Sequence, residues 1–190
     1  MAEIKAIISD FYGTLVDTFE ANYLAYQRAF AEIGYHLSRE TYRNCFGLRY
    51  DKFIEKIGLE MNDETRKVRE LKAQFYPQNF EHLKVNKKLV AFIRAFHAGG
   101  GKTAIASTAR RENLLAALEY IGAKEIFDTI LCGEMVEHGK PNPEIYEKAL
   151  NLLQVHADEA LCFEDTEIGI AAAKAAGISV MKIDKRYYED

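Results

Sequence analysis

The chain has 190 residues, 48% of them hydrophobic and 28% charged, with a net charge of −4. That length builds a sizeable core without staples, as one domain or one domain carrying a small insertion, and the acidic balance argues against a general nucleic-acid or anionic-membrane surface. Cys45, Cys132 and Cys162 are widely spaced and include no CxxC pair, which argues against a disulfide framework or zinc site and fits reduced thiols in a cytoplasmic protein. No apolar run is long enough to span a bilayer, and the first residues lack the apolar region of a signal peptide.

Along the chain, the apolar run Ile4 to Ser9 reads as a buried strand. It ends at Asp10 and a Gly13-Thr14 turn. From Thr18 the period changes. Phe19, Tyr23, Tyr26, Phe30 and Ile33 recur at steps of three and four and make one apolar helical face, with Gly34 as a stop. Asp17-Thr18 reads as its cap. Three further helices follow: one capped by Ser38, one from about Tyr50 to Ile57, and one capped by Asn62 or Asp63 and stopped at Pro77. No strand signal interrupts residues 18–85, so this segment is expected to be a helical insertion.

From Asn86 strands and helices alternate. A helix ends at Gly99-Gly100-Gly101; Thr103 to Ser107 is a strand; a helix carries Leu114, Leu118 and Ile121; Thr129 to Cys132 is a strand. A helix follows from Pro143 to Leu153, then a strand from Ala160 to Phe163, a helix from Ile168 to Ala176, and a last strand from Ile178 to Ile183. This alternation predicts an α/β fold with a doubly wound parallel sheet, formed by residues 1–17 and 86–190, with a helical cap at 18–85. In such sheets ligands gather at the carboxyl ends of strands. Asp10, Ser107 and Glu164-Asp165 each follow a predicted strand.

Four pieces carry the chemistry: Asp10-Phe11-Tyr12-Gly13-Thr14, then Ser107-Thr108, then Lys140-Pro141-Asn142-Pro143, then Glu164-Asp165-Thr166 with Gly169. Each has an ordinary reading alone, as a turn, a loop, a surface lysine or the acidic start of a helix. In this order, each at a strand end, they resemble the haloacid dehalogenase-like superfamily, and most closely its β-phosphoglucomutase-like branch with a small helical cap. The resemblance covers nearly the whole chain. It implies a Rossmann-like core and a Mg²⁺-dependent phosphatase of a small phosphorylated metabolite, such as a sugar phosphate. A cytoplasmic monomer is expected.

The residues support the roles this resemblance implies. Asp10 is the nucleophile, passing through an aspartyl phosphate. Mg²⁺ held by Asp10, Asp165, Glu164 and the backbone carbonyl of Tyr12 offsets the repulsion between a carboxylate and a phosphate dianion. Ser107 and Thr108 bind phosphoryl oxygens, and Lys140 pairs with nucleophile and phosphate. Arg49 and Lys52 fall where this branch carries a specificity loop and are expected to contact the non-reacting part of the substrate.

One position departs from the pattern. Phosphatases of the superfamily read Asp-x-Asp, the second acid serving in proton transfer; here that place is Tyr12. A phenol, with an ordinary pKa near 10, donates a hydrogen bond but is a poor base at neutral pH. A tyrosine there also resembles the metal-free 2-haloacid dehalogenases. Those carry small polar residues where this chain has Glu164-Asp165, an acid pair that would repel Asp10 without a cation between them. A third reading is a phosphometabolite-binding module that kept the fold and lost the acid. The mutases of the branch need the second acid and a histidine where this chain has Asn22.

Overall fold

The computed structural model describes residues 3–48, 50–184 and Tyr188. The chain divides into two compact units, one built from residues up to Asp17 and from Lys84 onward, the other from Thr18–Leu83.

The first unit is an α/β sheet domain. Its strands are β1 (Ala6–Ser9), β4 (Lys102–Ala106), β5 (Thr129–Leu131), β6 (Ala160–Glu164) and β7 (Ser179–Lys182), in the order β5-β4-β1-β6-β7 and all parallel. Its helices are α5 (Lys87–Ala98), α6 (Arg111–Tyr120), α7 (Glu144–Leu153) and α8 (Glu167–Ala175). β1 lies between β4 and β6, with Ile8 opposite Ala104 on one side and Cys162 on the other. Flanked on both edges and covered on both faces, it needs apolar residues throughout, which is why it reads as an unbroken run. Ala6 and Ile8 share a face with Ala104, Ala106 and Leu131, packed under Ile145, Tyr146 and Ala149 of α7 and Ala172 and Ala173 of α8. Each fully buried isoleucine here contributes about 1.5–3 kcal/mol. The chain builds outward from β1 to β4 and β5, then crosses to β6 and β7. The strand order therefore switches at β1, and the crevice at its carboxyl end is where this architecture binds ligands.

Two strands were not legible as strands. β2 (Val16–Asp17) and β3 (Lys84–Val85) form a two-stranded antiparallel ribbon, with Val16 opposite Val85 and Asp17 opposite Lys84. Asn86 fastens it: its N–H donates to the Leu15 carbonyl at 2.8 Å, and its side chain accepts from Leu89 N at 3.1 Å to cap α5. This corrects the expected strand-free stretch up to residue 85. It also corrects the expected cap at Asp17-Thr18. Asp17 is a strand residue, and Thr18 occupies the N-cap position without a side-chain capping bond.

The second unit is helical: α1 (Phe19–Ala31), α2 (Arg39–Cys45), α3 (Tyr50–Lys56) and α4 (Asp63–Phe75). Ser38 caps α2 by accepting from Thr41 N at 3.0 Å, and Asn62 forms a reciprocal capping box with Thr65 at α4. α1 packs against α4 over a core that includes Tyr23, Phe30, Tyr42, Phe53 and Ile54. α4 ends at Phe75, just ahead of Pro77, as expected. A 3₁₀ helix runs over Tyr76–His82 with the proline in its first turn, a place where a missing N–H costs nothing. Among the described residues no helix is long and apolar enough to cross a membrane.

Candidate active site

Asp10 is the first residue past β1. Its N–H continues the ladder by donating to the Phe163 carbonyl at 2.9 Å, and only 7% of the residue is exposed. The chain then folds back tightly: Leu15 and Val16 N–H groups both donate to the Phe11 carbonyl at 3.0 Å, and Gly13 N donates to Val16 O at 2.9 Å. Gly13 sits at φ +91°, and a Cβ there would lie 2.2 Å from Asp165 Oδ2. The glycine thus serves two ends: a left-handed backbone and the close approach of the acid from β6. Thr14 follows and donates its hydroxyl to Asp165 Oδ1 at 3.1 Å. Tyr12 is partly buried, with its ring edge-on to Phe11 at 5.0 Å.

The end of β6 brings the other acids. Glu164 is 1% exposed, and each of its oxygens accepts twice. Oε1 takes the Lys140 ammonium and the Tyr146 hydroxyl, the latter at 3.1 Å; Oε2 takes the Thr166 N–H and hydroxyl, both at 3.0 Å. The Thr166 hydroxyl in turn accepts from Gly169 N at 3.1 Å, capping α8. A Cβ on Gly169 would fall 1.8 Å from Glu164 Oε1, so the helix can start this close only without a side chain.

Lys140 arrives from the β5–α7 connection and bridges the acids. Its ammonium lies 2.8 Å from Asp10 Oδ1 and also bonds Glu164, and its side chain is 6% exposed. Burial opposes its charge, but Asp10 and Glu164 outweigh that and hold its pKa above the ordinary lysine value, so it stays an ammonium. Burial pushes the Asp10 carboxyl up to about 7. Lys140 pulls the other way, and the Glu164 and Asp165 charges push further up. Asp165 is also raised, by burial first and by Glu164 second. Three acids thus face one lysine. Removing one partner of a buried ion pair typically costs about 3–5 kcal/mol, so Lys140 holds the acids in place as well as neutralising part of their charge.

Glu144 shapes the loop that delivers Lys140. Its carboxylate accepts from Lys148 Nζ at 2.6 Å and from the backbone N–H groups of Glu137 and His138 at 3.0 and 2.8 Å. These bonds, led by Lys148, hold its pKa down to about 2, against 4.5 for an ordinary glutamate. A depressed folded pKa stabilises the fold above the unfolded value and is lost as pH falls through the folded one. Glu144→Gln should therefore melt below wild type at neutral pH, with the gap closing between pH about 4.5 and about 2. A gap that stays constant with pH would show that the charge of Glu144 does not order this loop.

Asp10, Lys140, Glu164 and Asp165 are thus brought together. The other expected residues stand differently. Ser107 follows β4 and is buried; its hydroxyl accepts from Ala109 N at 3.3 Å. Thr108 is exposed in the next turn. Among the described residues neither bonds to the acid–lysine cluster. Lys52 is exposed on α3 and paired with Glu55 at 2.7 Å. Arg49 lies outside the described residues. Asp10, Glu164 and Asp165 can each offer an oxygen, all within 4.8 Å of one another, to a metal ion.

The family model for haloacid dehalogenase-like hydrolases matches residues 7–183. This chain belongs to the haloacid dehalogenase-like hydrolase family. Among its curated relatives is the protein CbbY of Rhodobacter capsulatus, 32% identical over 97% of this chain and 87% of that one. The phosphorylated carbohydrates phosphatase of Thermotoga maritima is 28% identical over 92% of this chain and 82% of that one. A crystal structure of mutant CbbY from Rhodobacter sphaeroides in complex with xylulose-(1,5)bisphosphate superimposes with a TM-score of 0.82, at 28% identity, covering 98% of this chain and 90% of that one.

In this haloacid dehalogenase-like hydrolase, three parts of the site escaped sequence reasoning. Thr14 and Thr166 were visible inside the motifs but carried no role; each proves to fix one acid of the Glu164-Asp165 pair. Tyr146 gave no signal, since a tyrosine on an apolar helix face reads as core. Its ring lies 5.1 Å from the Lys140 ammonium and its hydroxyl serves Glu164.

Proposed function

We propose that the protein is a Mg²⁺-dependent phosphatase of a small phosphorylated metabolite, of the sugar-phosphate class, working through an aspartyl phosphate on Asp10. The observation that carries this reading is the buried cluster at the end of β1 and β6: Asp10 paired with one lysine and crowded by Asp165 and Glu164. Such a surplus of buried negative charge fits a divalent cation with oxygen ligands. Asp10 and Asp165 are the side chains that would hold it, with the Tyr12 carbonyl. Glu164 already accepts four hydrogen bonds, so its first task in this reading is to hold Lys140. When bound, Mg²⁺ supplies charge neutralisation at the phosphoryl oxygens.

The protein's own steps follow. Lys140 occupies Asp10 Oδ1 and leaves Oδ2 to attack phosphorus. The P–O bond to the alcohol breaks as the Asp10–phosphorus bond forms, and the leaving oxygen departs as an alkoxide that takes its proton from solvent. Water then displaces the phosphoryl group, releasing inorganic phosphate and restoring the carboxylate. Lys140 and Ser107 meet the phosphoryl oxygens, with Thr108 in the same loop. Arg49 and Lys52 are proposed to read the rest of the substrate. Relatives named for phosphorylated carbohydrates, and one crystallised with a sugar bisphosphate, support this substrate class. We read the protein as a cytoplasmic monomer, in keeping with Cys45, Cys132 and Cys162 as free thiols. Tyr12 alone favours a dehalogenase, and the acid pair beside Asp10 weighs against it.

A panel of phosphate esters and 2-chloropropionate, each with and without Mg²⁺, tests the reading. Phosphate release that requires Mg²⁺ is expected; chloride release without metal would replace it with the dehalogenase. Calorimetry should show Mg²⁺ binding in wild type and little in Asp165→Ala, and equal affinity in both would defeat the metal site.

A further inference from the structure

Tyr146 lies in the first turn of α7 and is fully buried. The loop that delivers Lys140 runs into this helix. It folds back through bonds from Asn142 N to the Gly139 carbonyl at 3.1 Å and from Glu144 N to Asn142 Oδ1 at 3.0 Å. Lysine and tyrosine therefore meet, with the phenol ring 5.1 Å from the ammonium, inside the range of a cation–π contact. The hydroxyl donates at 3.1 Å to Glu164 Oε1, the oxygen that also takes the Lys140 ammonium. Burial keeps the phenol protonated, far above its ordinary pKa, so it is the donor in this bond. Packing of the helix face needs only the ring, which phenylalanine would supply; a buried hydroxyl persists where it has an acceptor. Here that acceptor belongs to the acid–lysine cluster.

We propose that Tyr146 is a positioning residue of this active site: its hydroxyl, acting through Glu164, holds the Lys140 ammonium against Asp10. The inference rests on the phosphatase reading above. Lysine is a point charge on a flexible stem, so its place depends on what its donors bond. Two of its bonds go to Asp10 Oδ1 and Glu164 Oε1. The Glu164 carboxylate must then be fixed at both ends. Thr166 fixes Oε2 with its N–H and hydroxyl, and Tyr146 fixes Oε1. Without the phenol hydroxyl, Oε1 and the ammonium can shift together, and the ammonium no longer selects one Asp10 oxygen so firmly. Attack in line on phosphorus is sensitive to such shifts, since a misplacement of about 1 Å can cost about 10²-fold in rate.

The test compares the full chain as wild type and as Tyr146→Phe, which keeps the ring and the core volume and removes only the hydroxyl. Rapid-quench kinetics with p-nitrophenyl phosphate in Mg²⁺ gives the maximal rate of the first turnover and the ester concentration that half-saturates it. The rate should fall about tenfold or more, while the half-saturating concentration changes by less than about threefold. Nuclear magnetic resonance without Mg²⁺ follows hydrogen exchange at the Lys140 ammonium, whose signal is recognised by its loss in Lys140→Arg. Exchange should be faster in Tyr146→Phe, because the ammonium is held less firmly. An unchanged first-turnover rate overturns the inference and leaves the phosphatase reading standing. A loss carried by the half-saturating concentration alone also overturns it, because the hydroxyl then serves binding. A slower rate with unchanged ammonium exchange overturns the route through Lys140. A wild type that releases no phosphate from any ester in Mg²⁺ removes the phosphatase reading and the inference together.

Discussion

Asp10→Asn should reduce steady-state phosphate release by about 10⁴-fold or more, the scale seen when a catalytic nucleophile is removed. The amide has nearly the shape of the acid, and its oxygen can still accept from Lys140, which now sits 2.8 Å from Asp10 Oδ1. What it lacks is an anionic oxygen able to attack phosphorus. The fold should survive, because the substitution removes one of three crowded carboxylates and leaves Lys140 paired with Glu164. Melting curves taken beside the rate measurement separate the two effects. A variant that melts like wild type and keeps its turnover would take the nucleophilic role away from Asp10.

Tyr12→Asp should move activity the other way. With a phenol in place of an acid, hydrolysis of the aspartyl phosphate lacks a base to activate water, and alkyl leaving groups lack a proton donor. General acid–base help is worth about 10²–10⁴ in rate. Wild type should therefore give a burst of about one equivalent with p-nitrophenyl phosphate, whose leaving group needs no proton, followed by slow turnover. Alkyl phosphates should react poorly throughout. Tyr12→Asp should raise their steady-state turnover in Mg²⁺ by up to that factor. The turn itself does not depend on the phenol, since backbone bonds from Leu15, Val16 and Gly13 close it. Rapid-quench kinetics on both proteins decides the matter. Fast alkyl phosphate hydrolysis by wild type without a burst, together with a slower Tyr12→Asp, would point to another proton-transfer group.

The sheet could be read from the chain because β1, β4 and β6 are short apolar runs that end in polar residues, and the helices between them carry clear apolar faces. Asp10, Glu164 and Asp165 could be read for the same reason: each stands where such a run stops. The division of labour within the acid pair could not. Two adjacent acids look alike in sequence. Only the packing gives one to Lys140, Tyr146 and Thr166 and the other to Thr14. β2 and β3 were hidden because two residues have no period. The partnership of Lys140 with Tyr146 was hidden because it depends on how a loop lies over a helix.

The two-residue ribbon of β2 and β3 has a consequence for how this chain is assembled. Asp17 faces Lys84 across an antiparallel ladder, so the chain leaves the sheet domain and returns to it at one doorstep. Seen from the sheet, the whole helical unit is a detour that begins and ends where a tight hairpin turn would fit. Lengthening such an excursion costs the sheet little, because closure entropy grows only slowly with the length between fixed ends. Helical insertions of different size and chemistry could be exchanged at this point while β1, Asp10 and the returning α5 keep their places.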